Sequence, residues 1–431
     1  MSFWDGSHWV DDRLISGPPV SSPAGWRSLH LWLAVIAIAV LTAALISQLT
    51  PGGASTSPLV AVAPTSRPTP STAPAMSSTH RPIATPILGA MPTPVRHSTP
   101  TPRLTAPIPR AKPTPTPRPV KTLPSSIDPT GSSDVSAQLN AFVKSVADGS
   151  TIAFKTGATY RLDRGVILQN RHNLVFDGNG ATLRIAGCSS NDSGFRLDDD
   201  AGITIRHFKI IGDNSGAGTA SSYKPGCEFQ AGVALLHATN VEISNVLISN
   251  VWGDCLFVDQ AAGAWSDGVW FHDSTCQLNG RQGVTITAGR HVTVERVTFD
   301  RLSRNVLDIE PYATSGGGTN ITFRGNTVTN YGTSRVNVNT WYLFTAFGGP
   351  GSVVRDVAVT ANTVTGGTLR AKVEVDRSQN IVVTNNTGLM SAKGPVLIFK
   401  DVDGVTVTGN RQALISGILA QFPGCTHVTY R

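Results

Sequence analysis

Ten short runs rich in β-branched residues recur between residues 151 and 410, and their spacing limits the fold more than anything else in the chain. The central apolar residues of the last nine are Phe176, Ile205, Ile243, Phe271, Val294, Phe323, Val359, Val383 and Val407, at intervals of 29, 38, 28, 23, 29, 36, 24 and 24. Each run is short, alternating and bounded by Gly, Asn or Asp, the pattern of a strand. A repeat of this size built from strands indicates a solenoid, a parallel β-helix in which the longer intervals carry inserted loops. A second register supports it. Fifteen residues after five of the anchors stand Val258, Ile286, Ile309, Val338 and Ile398, and the Val359 coil slips by one to Val375.

Three residues after the last four anchors come Asn326, Asn362, Asn386 and Asn410. Asn tolerates left-handed backbone, and stacked Asn can form amide ladders, so these four are expected at one bend. Ahead of the strands, DVSAQLNAFVKSVAD (134–148) places Val135, Leu139, Phe142, Val143 and Val146 on one helical face. Asp134 is the expected N-cap and Gly149 the stop. The expected class is all-β, with one N-terminal capping helix.

The run SAQLNAFVKSVADGSTIAFKTGATYRLDRGVILQNRHNLVFDGNGATLRI (136–185) resembles the N-terminal cap and first coils of the pectate-lyase-like, right-handed parallel β-helix superfamily, over roughly residues 134 to 415. The resemblance implies an elongated groove along one sheet face, usually holding a polysaccharide. It implies no single activity, because the superfamily includes pectate lyases, polygalacturonases, tailspike depolymerases, epimerases and non-catalytic adhesins. VWFHDST (269–275) is similar to a pectate-lyase strand, with His272 and Asp273 in swapped order. The lyase RxPxxR motif, the polygalacturonase set and the DPHD epimerase motif are absent. NGRQGVTI (279–286) followed by NVLDIEP (305–311) resembles a pairing in bacterial β-helix proteins that carries no activity across.

Alternation along the second strand gives candidate site residues. With Val258, Ile309, Val338 and Val375 inward, Asp259, Asp308, Glu310, Asn337, Asn339, Glu374 and Asp376 point outward. Asp308 and Glu310 then lie about 6.6 Å apart on one strand, and Asp308 and Glu374 about 9.6 Å apart across two coils. Both separations fall near the range of about 6.5–9.5 Å between the carboxyl groups of inverting glycosidases. Aligning Ile286 with Ile309 puts Gln282 beside Asn305 and Arg281 beside Arg304, with Asp254 in the Gln282 column; Lys372 precedes Glu374. Asp308, Glu310, Arg281 and Arg304 are the catalytic candidates, and Asp254, Gln282, Asn305, Lys372, Glu374 and Asp376 the substrate-binding ones. In a lyase, Arg281, Arg304 or Lys372 would be the base and Asp308, Glu310 and Glu374 would hold Ca²⁺. Asp198–Asp200 reads as a solvated turn, TSGGGTN (314–320) as a loop, and His207, His237, His272 and His291 as surface or packing residues.

The chain before this region is of another kind. Leu29–Leu49 is a 21-residue run without Asp, Glu, Lys or Arg, long enough to cross a bilayer. A retained anchor is expected; a cleaved signal peptide, with an apolar run of about 7–15 residues, is the alternative. Arg13 and Arg27 before it, and no Lys or Arg after it until Arg67, put the N-terminus in the cytoplasm and the rest outside. Residues 51–125 hold 19 of the 28 prolines and no acid. That composition cannot form a core and favours an extended stalk on the order of 200 Å long, a wall-crossing spacer or simply a solvated linker. The expected divisions are 1–28, 29–49, 50–125 and 126–431. Residues 1–28 contribute −1 and the linker +8 to a net charge of +7, so residues 126–431 sum to zero. A folded nucleic-acid-binding domain would be basic, and this one is not.

Of five cysteines, Cys188 and Cys227 lie in insertions flanking one coil and are the favoured disulfide. Cys255–Cys276, with Cys425 left over, and small buried cysteines are both open. The expected partner is a polysaccharide or cell-wall polymer, bound or cleaved by hydrolysis or β-elimination. A non-catalytic adhesin is the alternative and would show an aromatic-lined face, with Trp265, Trp270 and Trp341 as its candidates. A monomer is expected, with an oligomer of unknown order as the alternative.

Overall fold

The computed structural model describes the backbone of residues 2–4 and 9–11, and residues 117–431 except 313, 334–340, 368–371, 390–394 and 412–419. Ser2–Trp4 and Trp9–Asp11 form a short antiparallel pair. The segment 29–49 lies outside the described residues, and no helix among them is long and apolar enough to cross a membrane.

From residue 120 onward the chain winds in coils, and strands of successive coils pair in parallel. The nine anchors form one continuous column. Phe176 pairs with Ile205, Ile205 with Ile243, and the series runs through Phe271, Val294, Phe323, Val359 and Val383 to Val407. All nine are 0–2% exposed. The column also extends beyond the expected limits, to Ile152 before Phe176 and Tyr430 after Val407. Val120–Thr122 pairs with Thr151–Ala153, so the first coil begins inside the stretch read as linker. We call this face the anchor sheet. A second face, the site sheet, carries Leu235, Val258, Ile286, Ile309, Ala346, Val375 and Phe399 inward. A third face is a nine-stranded sheet running from Thr130–Asp134 to Thr363–Val364.

The second register needs two corrections. Ala346, not Val338, stands beside Ile309; residues 334–340 lie outside the described residues. Phe399, not Ile398, stands beside Val375, and Ile398 faces outward beside Glu374. Loops inserted between the sheets shift the residue count while the ladder keeps its register. TSGGGTN is likewise only half a loop, because the strand Gly317–Arg324 starts inside it.

The helix is Ser136–Ser145, and Asp134 sits one residue outside the N-cap position, which is Val135. Its Oδ1 accepts from the backbone N–H groups of Ser136 and Asp163, tying helix to coil. Leu139 and Val143 are buried, and Phe142 is half-buried.

The Asn column forms a ladder. Each amide nitrogen donates to the next Oδ1: Asn326 to Asn362 at 3.0 Å, Asn362 to Asn386 and Asn386 to Asn410 at 2.9 Å. Each Oδ1 also accepts the backbone N–H of the Asn before it, and each amide donates to a carbonyl one coil back. The left-handed residue at this bend is the one before the Asn, namely Gly325, Ala361, Asn385 and Gly409 (φ 55–66°). Asn is present here to satisfy buried donors and acceptors on both sides.

Asn362→Leu removes the acceptor for two donors of Asn326 and the donor to Asn386. About 1–3 kcal/mol per orphaned buried group predicts a loss of roughly 2–5 kcal/mol in urea unfolding. Thr360→Ala on the outer face should stay within about 0.5 kcal/mol.

Candidate functional site

The site sheet's outer face is where the expected acids lie. Its register puts Phe257, Thr285, Asp308, Thr345 and Glu374 in one outward column. Asp308 and Glu374 are therefore two coils apart, as the spacing predicts. At the bend before the strand, the same register stacks Asp254, Gln282 and Asn305, and Gly253, Arg281 and Arg304. Backbone bonds from Gly283 to Asn305 and from Arg304 to Arg281 hold the bend in step.

These outward residues are not exposed. Asp254, Arg281, Arg304, Asp308 and Glu310 are 1–8% exposed. The cover is the long insertion between the strands Lys209–Ile211 and Val233–Leu236. Cys227 within it is bonded to Cys188, and Ser222 Oγ donates to Ser303 Oγ at 2.8 Å. It packs on the coil at Gly253, where a Cβ would lie 2.2 Å from the Glu228 carbonyl oxygen, so any side chain there would displace it. The second disulfide is Cys255–Cys276, and Cys425 is free.

Arg281 is the hub. Its guanidinium reaches Asp254 Oδ2 at 2.7 Å, Glu228 Oε2 at 3.6 Å and Glu310 Oε1. Burial disfavours its charge, but the acidic groups of Asp254, Glu310 and Glu228 outweigh burial and hold its proton more tightly than in water. Arg281 therefore corrects one expectation: it cannot act as a base. Arg304 lies between two rings, 3.7 Å from the Tyr223 centroid and 4.7 Å from that of Trp341. Burial lowers its proton affinity, and its Nε meets no hydrogen-bond partner among the described residues. Tyr223 donates to Glu228 at 2.8 Å, and burial pushes its hydroxyl up to about 12.

The two catalytic carboxyl candidates differ. Glu310 is buried, and desolvation, opposed by Arg281 but aided by Asp308 and Asp254, lifts it to about 8. Burial thus favours its protonated form at neutral pH. Burial also raises Asp308, but Thr345 Oγ1 donates to one of its oxygens at 2.5 Å and Asn305 Nδ2 to the other at 2.8 Å, both favouring the ionised form. Gln282 N–H caps Asp254 at 2.9 Å, and Thr285 donates to Gln282. An acid and a base on one face, about two residue rises apart, can deliver a proton and withdraw one.

Other expected residues do not join them. Lys372 sits in the column of buried Leu343 and Val396, not beside Glu374; its Nζ donates to Gly366 O at 3.4 Å and lies 5.0 Å from the Tyr331 centroid. Burial pulls it down to about 8. Asp376 pairs with Arg377 at 3.2 Å. Asp259 is covered, accepting from Thr287 and Tyr312. Asp308, Glu310 and Glu374 do not gather as a cation site, nor does any group of three His, Cys, Asp or Glu among the described residues. Asp200 is no solvated turn: it is 1% exposed and pushed up to about 7 by burial. His207, His237 and His291 are left-handed turn residues paired with Asp177, Asp199 and Asp267. Sequence reasoning missed Glu228 and Tyr223; the only signal was an unusually long insertion carrying a cysteine.

Residues 150–328 match the family model described as "Right handed beta helix region". The domain is a right-handed parallel β-helix. Solved structures similar to this β-helix include three of different kinds. An alginate lyase from Paenibacillus sp. str. FPU-7 is 16% identical with a TM-score of 0.49, covering 68% of this chain and 97% of that one. An endo-xylogalacturonan hydrolase from Aspergillus tubingensis is 15% identical with a TM-score of 0.46, covering 72% and 100%. The surface adhesin PfbA of Streptococcus pneumoniae is 13% identical with a TM-score of 0.40, covering 70% and 91%. No curated protein matches the sequence.

Between about pH 4.5 and 8 the folded chain keeps a proton on Glu310 that the unfolded chain releases, so this group's stabilisation falls as pH rises. Thermal melts across that window should show wild type losing stability relative to Glu310→Gln, with the difference levelling off above about pH 8.

Proposed function

We propose that the β-helix is a polysaccharide-acting enzyme that hydrolyses glycosidic bonds, with Glu310 as general acid and Asp308 as general base. The supporting observation is that two neighbouring carboxyls are both raised by burial but differ in partners: Glu310 meets the Arg281 guanidinium, and Asp308 accepts from Asn305 and Thr345, donors that favour its ionised form. In this reading Glu310 gives its proton to the departing glycosidic oxygen. Asp308 takes a proton from the water that attacks the anomeric carbon on the opposite face, and configuration inverts. Arg281 positions Glu310, and Asn305 and Thr345 orient Asp308.

Hydrolysis is preferred to β-elimination on charge. Glu228, Asp254, Asp308 and Glu310 face only Arg281 and Arg304 among the buried groups of the cluster. A polyuronate would meet excess negative charge, and Arg281 is unable to serve as its base. The substrate is thus a neutral glycan. Near-complete burial favours a second reading, a non-catalytic glycan-binding module in which the ion network only fastens the insertion.

The test is reducing-sugar release on a panel of neutral polysaccharides. Glu310→Gln and Asp308→Asn should each cut kcat by about 10²–10⁴-fold. The wild-type rate should fall as pH rises through about 8, as Glu310 loses its proton. Undiminished product in both variants removes this assignment, and no product from wild type favours the binding module.

We also infer that residues 29–49 anchor the chain as a single span, N-terminus inside and β-helix outside. The uncharged 21-residue run and the flanking arginines support this. Full-length chain should stay with membranes in alkaline carbonate, and a 1–50 deletion should release it.

A further inference from the structure

Trp270 stands on the outer face of the anchor sheet, between inward Val269 and Phe271, and is 41% exposed. An exposed indole on a polar sheet forfeits burial worth about 25 cal/mol per Å². This one is nevertheless fixed in place. Its ring stacks on His272 at 3.7 Å between centroids and 22° between planes. Its Nε1 donates to Glu295 Oε1 at 3.0 Å. His272 is itself held, with Nδ1 2.6 Å from Asp273 and Nε2 3.4 Å from Glu242. Glu295 pairs with Arg296 at 2.7 Å and Arg324 at 2.5 Å. The indole stacks on the imidazole, and the residue as a whole is 41% exposed.

The register extends this platform along the coil axis. One outward row is Glu242, Trp270, Thr293 and Thr322; the row beside it is Ser244, His272, Glu295 and Arg324. Steps of about 4.8 Å separate the rungs. The flat ring is thus followed by two hydroxyls in its own row, with a carboxylate and a guanidinium in the row beside it. The acids Glu242, Asp273 and Glu295 are balanced mainly by Arg296 and Arg324, so no strong field of either sign selects an ion. A flat apolar plate edged by paired donors and acceptors suits a pyranose ring, whose C–H face is apolar and whose rim carries hydroxyls. Because the plate is rigid before binding, little side-chain entropy is lost on docking.

We propose that Trp270 is the stacking platform of a second glycan site, on a different sheet from the acidic cluster, that takes a neutral pyranose chain. Glu242, Thr293 and Arg324 meet the sugar hydroxyls beside it. The site binds and performs no chemistry, and it does not rest on the roles given to Glu310 and Asp308.

The test is affinity electrophoresis of the full-length chain in detergent through gels containing soluble glucan, xylan, mannan or galactan. Calorimetry with a hexasaccharide of whichever polymer retards it follows. Glu310→Gln protein keeps the glycan intact and should bind as wild type does. Trp270→Ala in that background should weaken binding at least about ten-fold, while Trp270→Phe stays within about three-fold, because a ring remains to stack. Arg324→Ala, which keeps the indole and its stacking on His272, should cost about three-fold and guards against misfolding of Trp270→Ala. Unchanged affinity in both Trp270→Ala and Arg324→Ala overturns the proposal, as does retention of wild type by none of the polymers. Trp270→Ala in otherwise wild-type protein that loses polymer affinity but keeps wild-type kcat separates this site from the catalytic one.

Discussion

Rung-to-rung register is the constraint on which the rest of this molecule depends. Parallel ladders fix each residue beside its counterpart one coil away, and a one-residue slip would send a whole apolar column to solvent. The columns from Ile152 to Tyr430 and from Leu235 to Phe399 hold that register across the described coils. Chain length varies only at the corners, where loops leave and return. The acidic cluster follows from this arrangement. Asp254, Arg281, Arg304 and Asp308 come from three successive coils and meet because the register leaves them no other place.

What register assembles, the insertion then encloses. A guanidinium taken out of water needs partners, and Arg281 has three. The surplus of carboxylate has to be relieved, and the molecule relieves it by keeping Glu310 protonated. Thus the same burial that would make the network costly as a mere brace gives one carboxyl the proton affinity of a general acid. Asp308, only two residues away, is also raised by burial, but Asn305 and Thr345 donate to it and offset part of that rise. The chemical difference between them comes from hydrogen-bond partners as much as from depth.

The anchor column and the Asn ladder were readable because both are periodic and inward, and hydrophobic period is a strong signal. Val338 and Ile398 misled because counting residues assumes loops of constant length, while the ladder is indifferent to loops. Alternation placed Asp308 and Glu310 on the outer face correctly and said nothing about what would cover them. Glu228 and Tyr223 arrive from an irregular segment with no period at all. Lys372 failed for a related reason: at a bend, two successive positions can both turn inward.

The two ends of the solenoid are held by different means. Both disulfides fall between residues 188 and 276, where the corner column carries Phe208, Val246 and Ser274. Beyond them, Asn takes over that column and the coils from Val359 to Val407 shorten to a constant 24 residues. Such coils are interchangeable, since each presents to its neighbours the same amide and the same apolar seam it receives. Gene duplication could lengthen or trim this end by whole turns without a new packing solution, whereas the cross-linked end, with its insertion and its acids, tolerates no such editing.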